Sequence, residues 1–188
     1  MNNSDFRQKA ANDRNWLERI GHKIPGFRGY LEKEERRTTD KLLRDHIAQR
    51  LEQLRGDMDP LMRDLTNRGG FDMLKLVNEL DRVKKAVERL RGRIQYASYG
   101  YSGMFDAVKV RENELDRLYQ YDVQLLDLVD DLQAKFIVLT DPLKSAQELE
   151  GALRQVLQNC REFDRKIDDR EQILQASPTN EQQKGDAQ

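Results

Sequence analysis

Cysteine occurs once in this chain, as Cys160. A single thiol forms no disulfide within the molecule, and a reducing cytoplasmic compartment is the expectation. Histidine occurs twice, as His22 and His46. That leaves no His-Glu-x-x-His helix and no paired Cys-x-x-Cys, so no zinc site is expected. The Glu-x-x-His pairs of a di-iron bundle are missing too. No apolar run reaches about 18 residues, so no membrane-spanning helix is expected. The first twenty residues are charged throughout and lack the apolar stretch of a secretory signal. Charge of one sign is also missing. The 33 Lys and Arg balance 34 Asp and Glu, a net of −1, so no global basic field is available to hold nucleic acid. Gly100-Tyr101-Ser102-Gly103 is too short and too aromatic for a phosphate loop. The residues therefore point to no enzyme, no cofactor and no metal.

Proline occurs only four times and glycine eleven times in 188 residues. Few breakers leave room for long helices. Apolar residues make up 37% and charged residues 36%, which suits a narrow buried seam beneath a wide charged surface. Four stretches show that seam. The first helix is predicted over 31–67, with Leu43, Ile47, Leu51, Leu54, Met58, Leu61 and Leu65 on one face and a kink before Pro60. Gly69-Gly70 makes the turn. The second helix is predicted over 71–97, with Met73, Leu76, Leu80, Val83, Val87, Leu90, Ile94 and Ala97. The third, over 105–139, carries Val108, Arg111, Leu115, Leu118, Asp122, Leu125, Val129, Leu132, Phe136 and Leu139. Thr140-Asp141-Pro142 reads as a cap followed by proline in the first turn. The fourth, over 142–175, carries Ala146, Leu149, Leu153, Val156, Cys160, Phe163, Ile167, Arg170 and Leu174. Steps of three and four average 3.5, the spacing of left-handed helix packing.

The predicted fold is all-α: an antiparallel up-down-up-down four-helix bundle with a short helical leader at 1–30. A spectrin-like three-helix bundle with a loose fourth helix is the lesser option. In the leader, Asn12 or Asp13 caps a short helix carrying Trp16, Leu17 and Ile20, and Gly21 stops it. Residues 177–188 are polar and predicted to be disordered. Short connections make consecutive helices neighbours. Folding the third helix onto the fourth about Thr140-Asp141 sets Asp122 level with Cys160, Leu80 and Met58. His46 then lies about 18 Å along the first helix from the level of Cys160, too far for a catalytic dyad. Asp122, the one acid in mid-seam, must find a partner if buried; otherwise the helix rotates and Tyr119, Tyr121 or Leu126 shares the inside. Arg111 and Arg170 fall in one layer, where they could hold an anion or a partner's carboxylate, with solvation as the default.

The same register marks one end as polar and aromatic. Residues 31–41 form a charged arm with nothing level to pack on. The leader and the loop 96–105 share that end. Five of six tyrosines lie between 96 and 121. Aromatic side chains on glycine-flexed backbone suit a contact surface. Phe27, Tyr30, Tyr99, Tyr101 and Phe105 are the expected apolar contacts for a protein partner, with Arg36 and Arg37 steering it. The plainer alternative is that the leader folds back over the bundle.

A basic stretch precedes the loop. Between Arg82 and Arg93 there are six positive residues and one negative, a net of +5. Lys84, Lys85, Arg89, Arg91 and Arg93 make a candidate surface for nucleic acid or anionic lipid. The third helix answers it with a net of −5 between Arg111 and Asp131. Pairing between those two neighbouring helices is the favoured reading.

The segment Ile24-Pro25-Gly26-Phe27-Arg28-Gly29-Tyr30, with Glu34-Glu35-Arg36-Arg37 and Asp40-Lys41-Leu42-Leu43-Arg44-Asp45, resembles a bacterial family of helical proteins with no established activity. The resemblance spans about residues 20–140. Members of that family occur near genes for SPFH-type (stomatin/flotillin-like) membrane scaffolds and zinc-ribbon proteins. This implies a helper role at a membrane assembly and a location peripheral to the inner face of the membrane. The long charged helices also resemble phage-shock/ESCRT-III-like remodellers, but those open on a much longer hairpin with an amphipathic membrane helix. The expected function is thus a non-enzymatic adaptor or scaffold, with binding of a charged polymer or surface as the alternative.

Overall fold

A computed structural model describes residues 20, 21, 23, 24, 36–97, 112–141 and 145–176; of 36–40, 112–119 and 173–176 only the backbone is described. Among these residues four helices form the fold: α1 (Arg36–Arg68), α2 (Phe71–Tyr96), α3 (Glu112–Leu139) and α4 (Ala146–Ala176). All seven seam residues expected on α1 are buried, as are Leu76 to Ile94 on α2 and Leu149 to Ile167 on α4. Each fully buried Leu or Ile contributes about 1.5–3 kcal/mol, so these stripes hold the bundle. Charged residues cover the remaining faces.

The helix ends follow local chemistry. Gly69 (φ 68°) and Gly70 (φ 88°) have backbone that other residues resist, and they reverse the chain between α1 and α2. α1 runs unbroken through Pro60, which is exposed. α3 closes with Thr140, whose N and Oγ1 both donate to the Ile137 carbonyl (3.1 and 2.8 Å). The expected cap at Thr140-Asp141-Pro142 is not where α4 starts. A capping box does that work instead. Glu148 N donates to Ser145 Oγ (3.3 Å), and Ser145 N donates to Glu148 Oε2 (2.8 Å).

The directions alternate, but the neighbours differ from expectation. α2 packs on α1 and on α4, and α3 packs on α4 and on α1. Around the bundle the order is therefore α1, α2, α4, α3, and α2 and α3 face each other across a diagonal. Lys75 pairs with Glu150, Arg89 with Asp164 and Arg93 with Asp168, so α2 and α4 run parallel. Arg50 pairs with Asp130 while Leu43 and Ile47 surround Asp122, so α1 and α3 are parallel too.

The register of α3 also differs. Asp122 meets Arg170, not Cys160, a slip of ten positions or about 15 Å along α4. Continued at this offset, the first turns of α3 stand level with the arm at 36–41. The described part of the arm, 36–41, therefore does not project alone.

Part of the leader joins the core. Residues 20, 21 and 23 are helical, and Ile24 N donates to Ile20 O (2.9 Å). The turn continues past Gly21. Pro25 follows and disfavours helix at the residue before it. Ile20 and Ile24 are 1% and 5% exposed, in one apolar cluster with Leu43, Ile47, Val123 and Leu126.

Candidate functional site

Three places in the bundle concentrate polar or exposed apolar chemistry. The first is the buried pair near the arm end. Arg170 Nε donates to Asp122 Oδ1 at 2.8 Å, with side chains 7% and 6% exposed. Leu43, Ile47, Ile94, Leu125 and Ile167 complete that layer. The rotation weighed for α3 occurs as well, since Val123 and Leu126 are also buried. Asp122 stays inside because Arg170 meets it there. Tyr121 is half-buried, with Lys166 Nζ 5.5 Å from its ring centroid.

The second is the leader clasp. Lys23 Nζ donates to Asp127 Oδ1 (2.7 Å) and to Asp130 Oδ2. Asp130 also accepts from Arg50 Nη1 (2.5 Å), and Arg50 Nη2 donates to Gln133. Burial acts to raise the Asp130 pKa, but Lys23 and Arg50 outweigh it and hold the carboxyl below its usual range. Burial likewise works against the Lys23 ammonium, yet its two aspartates raise it. One turn before Arg50, His46 Nε2 is buried without a hydrogen-bond partner. Burial, then the Arg50 charge, pushes the His46 imidazole below its ordinary value.

The third is the end at Gly69-Gly70. Phe71 is 83% and Leu74 59% exposed. With Leu65, Thr66 and Val77 they line an open, mostly apolar groove. Sequence reading passed over them, although the signal was present. With Met73 and Leu76 on the seam, Phe71 and Leu74 fall off it and have nothing in the bundle to cover them. Ile137 and Val138 are exposed near the end of α3.

The sequence-predicted contacts fare unevenly. Phe27, Tyr30, Tyr99, Tyr101 and Phe105 lie outside the described residues. Arg36 and Arg37 open α1, with only their backbone described. Tyr96, which leads into the loop, is 61% exposed. The tail at 177–188 and the leader's Trp16 and Leu17 are outside as well.

The basic stretch is fully described, and every one of its six cations is ion-paired. Arg82 pairs with Glu79 and Lys85 with Asp81 on α2 itself. Lys84 reaches Asp59 and Arg91 reaches Glu52 on α1. Arg89 and Arg93 reach Asp164 on α4, and Arg93 adds Asp168 and Glu171. Pairing within the molecule was expected from α3. The partners are on α1, α4 and α2 itself instead, because α3 sits across the diagonal. The described acids of α3 are met by Lys23, Arg50, Lys135, Asn159 and Arg170.

Cys160 is buried, and burial pushes its thiol up to about 12. No nucleophile is prepared there. Among the described residues no helix is long and apolar enough to cross a membrane. No family model matches the chain, and neither a curated protein nor a solved structure matches it.

Proposed function

We propose that this chain is a non-enzymatic helical adaptor that holds a protein partner by the ends of its bundle. The observation that carries the reading is the pair of exposed apolar residues Phe71 and Leu74 beside an open groove at the Gly69-Gly70 end. Large exposed apolar groups that gather beside a groove mark contact surfaces. The flanks support the same reading. Many of their charges, those of the basic stretch among them, are tied in ion pairs within the molecule, which leaves these faces less selective. At the opposite end the exposed Tyr96 leads into the stretch that carries the expected contacts Tyr99, Tyr101 and Phe105, and Phe27, Tyr30, Arg36 and Arg37 belong to the same proposed surface. The resemblance to the SPFH-associated family favours a partner at the inner membrane face.

The test is capture of partners from separated soluble and membrane fractions at two salt concentrations. Three chains are compared: wild type, Phe71→Asp/Leu74→Asp and Tyr99→Ala/Tyr101→Ala. A partner that survives high salt and is lost from one double variant supports the adaptor and tells which end binds. Capture unchanged by both variants refutes it.

A further inference from the structure

The seam between α1 and α3 is the sparsest of the four, and a segment from outside the four helices completes it. One turn of the leader supplies the missing side chains. Ile20 and Ile24 stand four residues apart and share a face, and Lys23 flanks them. The two isoleucines are buried, and Lys23 is held by Asp127 and Asp130. Asp130 is shared with Arg50, so the leader turn touches the seam where α3 meets α1. The fit is incomplete: His46 Nε2, on the same stretch of α1, is buried with no hydrogen-bond partner.

Such an arrangement has the parts of a recognition groove. Its walls belong to the bundle, and its acidic pair holds Lys23 of the leader beside Arg50 of α1. Its described occupant is the turn from Ile20 to Ile24, an intramolecular ligand because the same chain continues into α1. A free helix with the same pattern would compete with that intramolecular contact.

We propose that the α1–α3 seam is a helix-docking groove closed in cis by the leader. Its partner is a protein helix carrying an aliphatic–x–x–cation–aliphatic turn. The aliphatic residues replace Ile20 and Ile24, and the cation replaces Lys23 between Asp127 and Asp130. This face is separate from the Phe71 end, so either proposal stands or falls without the other.

The experiment uses a labelled peptide of residues 14–28, which carries the pattern, and the same peptide with Lys23→Glu. Binding to full-length chains is read by fluorescence anisotropy. Lys23→Glu in the chain repels its own leader from the two aspartates and frees the groove. The wild-type peptide should bind that chain about tenfold or more tighter than it binds wild type, because the competent fraction rises. Adding Asp127→Lys and Asp130→Lys to the chain should abolish the gain, and the Glu peptide should bind neither chain. Lys23→Ala, which removes the same bonds without adding a charge, is the second variant and should give a gain of about threefold or more. Equal affinity for wild type and both folded variants overturns the proposal. So does a gain that survives Asp130→Lys. A Lys23→Ala chain that runs as a dimer also overturns it, because the groove would then take the leader of a second copy.

Discussion

Breaking the Asp122–Arg170 pair should be among the most damaging polar changes this bundle can suffer. Both side chains are more than nine-tenths buried, and their contact is a direct 2.8 Å hydrogen bond. Two charges about 4 Å apart attract by about 4 kcal/mol at an effective dielectric of 20. Moving each out of water costs several kcal/mol, so the intact pair contributes a net close to zero. Removing one partner is different. Asp122→Ala leaves a buried guanidinium without its carboxylate among Leu43, Ile94 and Ile167. The expected loss is about 3–5 kcal/mol for Asp122→Ala or Arg170→Ala. For a chain of this size each kcal/mol moves Tm by about 2–4 °C, so the midpoint should fall by about 6–20 °C.

Replacing both, as Asp122→Leu/Arg170→Met, should restore stability to within about 2 kcal/mol of wild type or exceed it. Urea melts followed by circular dichroism at 222 nm give these values, and a double-mutant cycle gives the coupling. Raising salt should leave the coupling unchanged, since the pair is sealed from solvent. The double variant should also lose the unique register of α3, read as doubled amide resonances from that helix. Single variants that each cost under about 1 kcal/mol, the value for an exposed pair, would refute the reasoning.

Gly70→Ala should destabilise by about 1–3 kcal/mol from backbone strain alone, because Gly70 has φ 88° and ψ 161° with nothing near its missing Cβ. Gly92→Ala, in the interior of α2 with equally open space, should stabilise by about 0.5–1 kcal/mol in the same melts. His46 has a pKa lowered from 6.5 in the fold, so its contribution is present above that value and is lost as pH falls from 6.5 through the folded value. Wild type should lose Tm between pH 7 and 5 (about the span of that titration), and His46→Leu should lose less; identical profiles would sink the assignment. Cys160 should resist a thiol reagent at pH 8 in the folded chain and react fully in urea, because its thiol is buried and raised to about 12. Binding of single-stranded DNA should be weak and shallow in salt, since the cations of the basic stretch are spoken for; a log–log slope near −4, the release expected from about six phosphate contacts, would restore that reading.

Much of the bundle was legible because burial obeys periodicity. Every expected seam residue of α1 is buried, and the same holds from Leu76 to Ile94 on α2. What the pattern leaves open is how far one helix slides along another. The slip between the expected and observed α3–α4 registers is ten positions. Ten is three seam steps of three, four and three, so the apolar stripes remain in phase in either register. Loop length offered no help, since residues 140–145 can span either offset. Among the described seam residues, the opposite charges that meet are Asp122 and Arg170, and the observed register brings them together. Both were noted in the sequence and placed in different layers. A buried acid demands a partner, and Arg170 on the facing seam meets that demand in the observed register.

Neighbour choice failed for a related reason. A basic α2 and an acidic α3 imply complementarity, but total charge per helix does not say which faces meet. α2 carries its cations on two faces. Lys84 and Arg91 point to α1, while Arg89 and Arg93 point to α4. The acids Asp59 and Glu52 lie seven residues apart on α1, and Asp164, Asp168 and Glu171 recur at three and four on α4. These spacings put each acidic set on one side of its helix, at the height of the cations that it meets. Position along a stripe, more than net charge, therefore selects the partner. By the same logic Asp127 and Asp130 of α3 meet cations on the leader and α1, while Asp122 meets Arg170 of α4. That is why a lysine outside the four helices became part of the seam, and why the sparsest contact of the bundle is the place where another chain's lysine can compete.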